Sequence, residues 1–239
     1  MNTNKTIDAV IWDSGQVVFF FPSMTWAEVW RLLPRVKATA ARRDPADLDE
    51  AVQACQDLFE VGETTLDEHR LAVSEALGLD VPLTWAEFQR GYLLGGEELG
   101  LNQPLIETRR RLATGTGLAQ GVLSNLCSAW RQALLEVGAL EHLDEEVYSF
   151  REGLLKPSEE LVVRMVDRLG VDAARTLVVD DRPESIAAAA AIGAQTHLFT
   201  GNAALADALA ALGIPAPCLE PLRRDPIVAY WPVQALAAR

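Results

Sequence analysis

The chain has 239 residues, 49% of them hydrophobic and 23% charged, enough for one large domain or a core with a smaller companion. Thirty-four carboxylates against 21 Lys and Arg leave a net charge of −13, which disfavours nucleic acid and anionic membranes but not a small anionic substrate held by a local field. Cys55, Cys127 and Cys218 lack metal-type spacing and suit a reducing compartment; with a polar start, MNTNKTID, and no apolar run long enough to span a bilayer, they predict a cytoplasmic protein.

The first element is the apolar run from Ile7 to Trp12 in TIDAVIWDSGQVV, which reads as a buried strand ending at a carboxylate, Asp13. Ser14 and Gly15 follow on a turn that lets backbone amides approach a ligand closely. Next comes the aromatic run Phe19-Phe20-Phe21, which either lines a crevice or fills core. The pattern then turns helical. Capping boxes at Thr25 with Glu28, Thr65 with Glu68 and Thr84 with Glu87, plus a Pro45 start after Asp44, predict four helices between Thr25 and about Leu94. Their apolar residues (Val29, Leu32, Leu33; Val52, Cys55, Leu58, Phe59; Leu71, Val73, Leu77) recur so that each helix has one apolar face, as in a small helical cap inserted between two strands. Trp26 and Trp30, one turn apart, are read as packing for this cap, with substrate stacking as the alternative.

From about Asn102 helix and strand alternate: helices over 105–112, 129–137, 158–169, 183–192 and 203–212, and strands over 118–124, 147–150, 176–179 and 196–199. Alternation of this kind predicts an α/β fold with a doubly wound parallel sheet. The expected boundaries are 1–20 and 98–215 for the core, 21–97 for the cap, and 216–239 for a Pro-containing tail running over the surface.

Four polar clusters fall at strand ends, where a doubly wound sheet binds its ligands: Asp13, Ser124-Asn125, Lys156 and Asp180-Asp181. Most have an ordinary structural reading as well. Asp13 could cap a turn, Ser124 and Asn125 could cap the helix beginning near Ser128, and Lys156 could be a solvated loop lysine. Asp180 and Asp181 resist such a reading, because adjacent carboxylates at the end of an apolar strand repel and lose solvation unless a cation compensates them. With Asp13 they suit one Mg²⁺, a hard cation that takes a few oxygen ligands and keeps several waters. Lys156 and Ser124 would then hold the anionic oxygens of a phosphoryl group, leaving the Asp13 carboxylate to attack phosphorus and give an aspartyl-phosphate.

In this order and spacing, AVIWDSGQVV, VLSN, Lys156-Pro157 and VVDDRPES resemble the motifs of the haloacid dehalogenase (HAD) superfamily, over residues 5 to about 213. The helical block after the first motif is similar to the C1 cap of subfamily IA, and its stretch FEVGETTLDEHRLAVSEALGL to the cap of small sugar-phosphate phosphatases in that group. The resemblance implies a HAD-type Rossmannoid core, a specificity-setting cap and a Mg²⁺-dependent phosphatase of a small phosphorylated metabolite. It implies Asp13 as nucleophile, and Asp13, the Gly15 carbonyl, Asp180 and Asp181 as Mg²⁺ ligands or their neighbours. Ser124 and Lys156 would bind phosphate, helped by the amides of Ser14, Gly15 and Asn125, and Lys156 would restrain the charge of Asp13.

Two departures from the family pattern matter. Most of its phosphatases carry a second Asp two residues after the nucleophile, acting as acid on the leaving group and as base on water; here that position is Gly15. Either Glu60, Glu63 or His69 substitutes, or the leaving group needs little protonation, or turnover is slow. The second departure is Ser185, where Asn is usual; Ser185 is expected to cap the helix. Glu63, His69 and Tyr92 are the candidate cap contacts. The nearest enzymatic alternative, a haloacid dehalogenase, also uses an aspartate nucleophile, but such members have no metal and replace the paired acids with Ser and Asn. A weak or non-catalytic binder of a phosphometabolite or partner is the alternative from another class, and a phosphomutase would need the acid–base group that Gly15 lacks.

Overall fold

Ala9, Val10, Ile11 and Trp12 are all fully buried, so the first strand, β1 (Ala9–Trp12), is apolar throughout instead of alternating, as a strand covered on both faces must be. The structure, a computed structural model, describes residues 7–20, 26–40, 43–94, 100–216, 218–219 and 225–226. These fall into two compact units, one within Met1–Phe20 and Gly100–Asp225, the other within Phe21–Leu99 and Pro226–Arg239. After β1 come a short strand β2 (Phe19–Phe20) and the helices α1 (Trp26–Arg31), α2 (Pro34–Ala40), α3 (Pro45–Glu60), α4 (Leu66–Ala76) and α5 (Trp85–Leu94). The chain re-enters the first unit through β3 (Gly100–Leu101), α6 (Gln103–Gly115), β4 (Ala119–Ser124), α7 (Ser128–Glu136) and β5 (Glu145–Tyr148). Then follow α8 (Ser149–Glu152), α9 (Glu159–Leu169), a 3₁₀ turn (Ala173–Arg175), β6 (Thr176–Asp180) and α10 (Pro183–Ala191). The last elements are β7 (Gln195–Leu198), α11 (Asn202–Ala211) and β8 (Asp225–Pro226).

The main sheet is parallel in the order β5-β4-β1-β6-β7, with Trp12 level with Val122 of β4 and Val179 of β6. The chain moves from β1 outward to β4 and β5, then crosses back to β6 on the other side of β1. That reversal is a topological switch point, and it aligns the C-terminal ends of β1, β4 and β6 along one edge, where α/β sheets bind ligands. Ile11, Leu123, Val147 and Val178 pack with Leu161 and Met165 of α9. A Cβ at Gly121 would lie 2.6 Å from Met165 Sδ, so the missing side chain lets α9 rest directly on β4. Polar atoms beneath are satisfied: Trp12 Nε1 donates to Gln120 Oε1 (3.2 Å), and Gln120 Nε2 to the Arg109 carbonyl (2.8 Å).

The alternation from 102 onward thus yields the doubly wound sheet it predicts. Not foreseen is a second, three-stranded sheet, β2-β3-β8, in which Phe19 pairs with Leu101. Its strands are too short to give a periodicity. Phe19 is buried and stacks on Trp130 at 5.6 Å, so this member of the aromatic run fills core; Phe21 lies outside the described residues, as does most of the tail over 216–239.

The second unit holds five helices among the described residues, not four. Pro34 cannot continue α1 and instead opens α2, since a proline restricts the residue before it and removes a donor. Asp44 caps α3 through Ala46 N (2.8 Å), and both halves of the capping boxes at Thr65 and Thr84 are formed. Thr25 lies outside the described residues. Val29, Leu33, Val52, Phe59, Val73 and Leu77 are buried as expected, but Leu32, Leu58 and Leu71 are exposed, so the apolar faces are narrower than the sequence suggests. Trp30 is buried and stacks on Phe88 at 5.7 Å, a packing role; the side chain of Trp26 lies outside the described residues. His69 stacks on Phe59 at 4.4 Å in the same interior. Among the described residues no helix is long and apolar enough to cross a membrane.

Two outcomes follow for the helical unit. Gly91 on α5 faces Trp30, and a Cβ there would sit 2.1 Å from the ring. Helix propensity favours Gly91→Ala by about 1 kcal/mol, whereas overpacking against a buried ring costs about 1–3 kcal/mol. The variant is therefore expected to be less stable in urea unfolding; a gain in midpoint would show that Trp30 yields freely. Burial pulls His69 down from 6.5 to about 4. A folded pKa below the unfolded one means this contribution is complete above pH 6.5 and fades as pH falls toward 4, by about 3 kcal/mol in all. In His69→Phe, this part of the pH slope of stability should vanish, leaving the carboxylate part at lower pH.

Candidate active site

Asp13 continues the line of β1: its backbone N–H donates to the Val179 carbonyl (2.9 Å), which sets it beside the end of β6. The turn after it closes on the Ser14 carbonyl, which accepts from Val18 N (2.8 Å) and Phe19 N (3.0 Å). The left-handed residue of this turn is Gln16, at φ 55°, and not the glycine beside it. Ser124 ends β4 and Asp180 ends β6, so both reach the same edge. Lys156 arrives differently. After β5 the chain makes α8, stops at Gly153 in the left-handed conformation, and presents Lys156 just before Ser158 caps α9. Glu152 fixes this excursion by binding Arg164 and Arg168 of α9, each at 2.7 Å.

Lys156 is the centre of the cluster. Its ammonium donates to Asp13 Oδ1 at 2.7 Å and to Asp180 Oδ2 at 2.6 Å, with all three side chains buried. A solvated loop lysine is thereby excluded. Asp180 Oδ1 accepts the Arg182 N–H (2.9 Å), so both of its oxygens are engaged. Asp181 is half-buried, and one oxygen from each of Asp13, Asp180 and Asp181 lies within 4.8 Å of the others.

The electrostatics follow from burial. Burial raises the Asp13 pKa, as does Asp180, while Lys156 and the Ser14 N–H oppose the rise. For Lys156, burial disfavours the charged form, but the two carboxylates outweigh it and hold its pKa above the ordinary value. Asp181 is pushed up to about 6, first by burial and then by Asp13 and Asp180. Three carboxylates thus share one ammonium. The excess negative charge, offered entirely by hard oxygen donors, fits a divalent cation such as Mg²⁺.

The remaining predicted residues are placed less uniformly. The Ser14 N–H is directed to the Asp13 carboxylate, and its buried Oγ has no hydrogen-bond partner among the described residues. Gly15 is half-buried and bridges to Phe19. Among the described residues the buried Ser124 Oγ makes only a 3.5 Å contact, to the Asn125 carbonyl. Neither Ser124 nor Asn125 caps α7, whose first residue follows Cys127 without a side-chain cap. Asn125 instead spans the Lys156 backbone, accepting its N–H (2.7 Å) and donating to its carbonyl (3.2 Å). Sequence reading missed this role, since the two residues are 31 positions apart and nothing local signals the contact.

Ser185 does not cap α10. It lies within the helix, its buried Oγ unpartnered among the described residues, and Arg182 is the cap residue. His69 is not a suitable acid–base group: it is buried in the helical unit, stacked, and neutral at pH 7. Glu60 accepts from Gln56 Nε2 (2.9 Å), Glu63 is exposed, and the Tyr92 side chain lies outside the described residues.

Comparison with known proteins agrees with the fold. A HAD family enzyme from Bacteroides thetaiotaomicron superposes with a TM-score of 0.66 at 17% identity, over 81% of this chain and 93% of its own. Another structure of that enzyme, a complex with magnesium and inorganic phosphate, gives 0.63 at 17% over 80% and 93%. A HAD-like family hydrolase from Porphyromonas gingivalis gives 0.63 at 21% over 80% and 90%. L-2-haloacid dehalogenase from Xanthobacter autotrophicus, with chloropropionic acid covalently bound, gives 0.51 at 19% over 88% and 85%. At these identities the likeness is one of fold. No curated protein sequence matches the chain significantly. The family model for haloacid dehalogenase-like hydrolases matches residues 7–193, from the start of the sheet past the end of α10, and the chain belongs to that family.

Proposed function

We propose that the protein is a Mg²⁺-dependent phosphatase of a small phosphorylated metabolite, acting through an aspartyl-phosphate on Asp13. The observation that carries this reading is the Lys156 ammonium bridging Asp13 and Asp180 beside Asp181, an anionic cluster with one fixed cation. A hydrolase that displaces halide from a neutral carbon has no need of three converging carboxylates, which favours phosphoryl transfer over dehalogenation. The net charge of −13 argues against nucleic acid or an anionic membrane as partner and is consistent with a cytoplasmic enzyme.

Asp13, the Gly15 carbonyl and Asp181 would hold Mg²⁺, with Asp180 alongside, its oxygens already bonded to Lys156 and the Arg182 amide. Bound there, the ion would neutralise phosphoryl oxygens and the surplus carboxylate charge. Lys156 favours the ionised form of Asp13 against the effect of burial and supplies positive charge to the phosphoryl oxygens, which Ser124 and the amides of Gly15 and Asn125 help to hold. An Asp13 oxygen attacks phosphorus in line: the O–P bond forms, the bond to the leaving oxygen breaks, and that oxygen departs with the electron pair. Water then attacks phosphorus, releasing inorganic phosphate and restoring the Asp13 carboxylate. Gly15 offers no proton to the leaving oxygen and no base to the water.

Phosphate release from a panel of phosphorylated metabolites tests the reading. Asp13→Asn is expected to lower turnover by more than about 10⁴-fold, and a chelator to abolish it, while Mg²⁺ raises the melting temperature of wild type. Undiminished turnover in Asp13→Asn would refute the mechanism. The glycine at position 15 makes a second outcome specific. Without a positioned acid worth about 10²–10⁴-fold, kcat/KM should climb steeply as the leaving-group pKa falls, aryl and acyl phosphates exceeding alkyl phosphates. A flat dependence would mean that another group donates the proton.

A further inference from the structure

Lys156 lies eight residues beyond the end of β5, so sheet pairing does not fix it. Two side chains do. Asn125 accepts the Lys156 N–H through Oδ1 (2.7 Å) and donates to the Lys156 carbonyl through Nδ2 (3.2 Å). In return Ser149, at the start of the Lys156 segment, accepts the Leu126 N–H (3.0 Å) and donates to the Leu126 carbonyl (3.4 Å). Each segment thus sends one polar side chain to cover both main-chain groups of one residue in the other. Ser149, Leu126 and Lys156 are buried, where an unpaired peptide group is costly.

We propose that Asn125 and Ser149 are positioning residues, a reciprocal clamp that fastens the segment after β4 to the segment before α9 and so sets the Lys156 ammonium between Asp13 and Asp180. The chemistry at position 125 is specific. A primary amide presents donor and acceptor side by side and so matches one peptide edge; aspartate loses the donor, and glutamine is a methylene too long. A lysine ammonium swings on a flexible four-carbon stem, and holding the base of that stem limits where it can reach. Glu152, bound to Arg164 and Arg168, anchors the same segment from its other side. The consequence for catalysis rests on the phosphatase reading; the placement of Lys156 does not.

The test reads placement and turnover separately. The chain has three lysines, Lys5, Lys37 and Lys156, so acetylation followed by mass spectrometry resolves them, with exposed Lys37 as the internal reference. In folded wild type, Lys156 should react on the order of 100-fold more slowly than Lys37. Asn125→Ala and Ser149→Ala should each raise the Lys156 rate relative to Lys37 by about tenfold, at a temperature where circular dichroism is unchanged. Asn125→Asp, which keeps the acceptor for the Lys156 N–H, should raise it less, and Ser149→Thr, which keeps the hydroxyl, should restore protection. In the alanine variants kcat for phosphate release should fall about tenfold while Mg²⁺ affinity by calorimetry stays within about twofold. Should Asn125→Ala fail to fold, Asn125→Asp and Ser149→Ala make the same comparison. Unchanged Lys156 labelling in the folded variants would overturn the clamp, as would a kcat left at the wild-type value. A protein that releases no phosphate from any ester would defeat the functional reading, and labelling would still decide the clamp.

Discussion

The ion triad Asp13–Lys156–Asp180 is the constraint on which the rest of the sheet edge depends. Its members come from the ends of β1 and β6 and from the excursion after β5, Asp13 and Lys156 being 143 positions apart in sequence. Burying such charges costs several kcal/mol per ion, recovered only if the geometry is good and the remaining lone pairs are satisfied. The fold meets both conditions. Parallel pairing of β1 with β6 sets the two carboxylates side by side, and the Ser14 and Arg182 amides take up acceptor capacity that Lys156 leaves. Removing Lys156 would leave two buried carboxylates uncompensated, whereas removing either aspartate would leave a balanced pair, so the lysine above all answers to stability as well as to chemistry.

The same triad leaves the sheet edge with surplus negative charge. One ammonium balances Asp13 and Asp180 incompletely, and Asp181 remains half-buried with its proton held up to about 6. Such an edge fits a divalent cation, which would relieve repulsion already present. Charge balance is therefore a property of the cluster as a whole, which no one of its residues displays.

How much was legible beforehand differs by element. Long segments with a clear period, such as α3, α9 and the runs ending at Ser124 and Asp180, were readable because their patterning records which face is covered. The helices of the second unit were readable from their starts, since Thr65-Glu68 and Thr84-Glu87 are local bonds between near neighbours. Their ends and faces were less so. Pro34 divides one predicted helix into two, and Leu32, Leu58 and Leu71 sit on apolar periods yet are exposed. Ser185 and His69 show the limit for single residues: neither a cap nor an acid–base group can be recognised without knowing what surrounds it.

The sequence by itself determined the alternating fold, the helical insertion and three of the four polar clusters at strand ends, Lys156 lying instead in the loop before α9, because burial period and strand termini are properties of contiguous residues. It did not determine that Lys156 is buried between two acids, that Asn125 grips the lysine's backbone and not a helix end, or that the turn after Asp13 places its left-handed residue at Gln16. Those were decided by the tertiary structure. They depend on hydrogen bonds and Coulomb terms between groups far apart in the chain, whose strength follows from distance and desolvation, and both exist only once the sheet has closed.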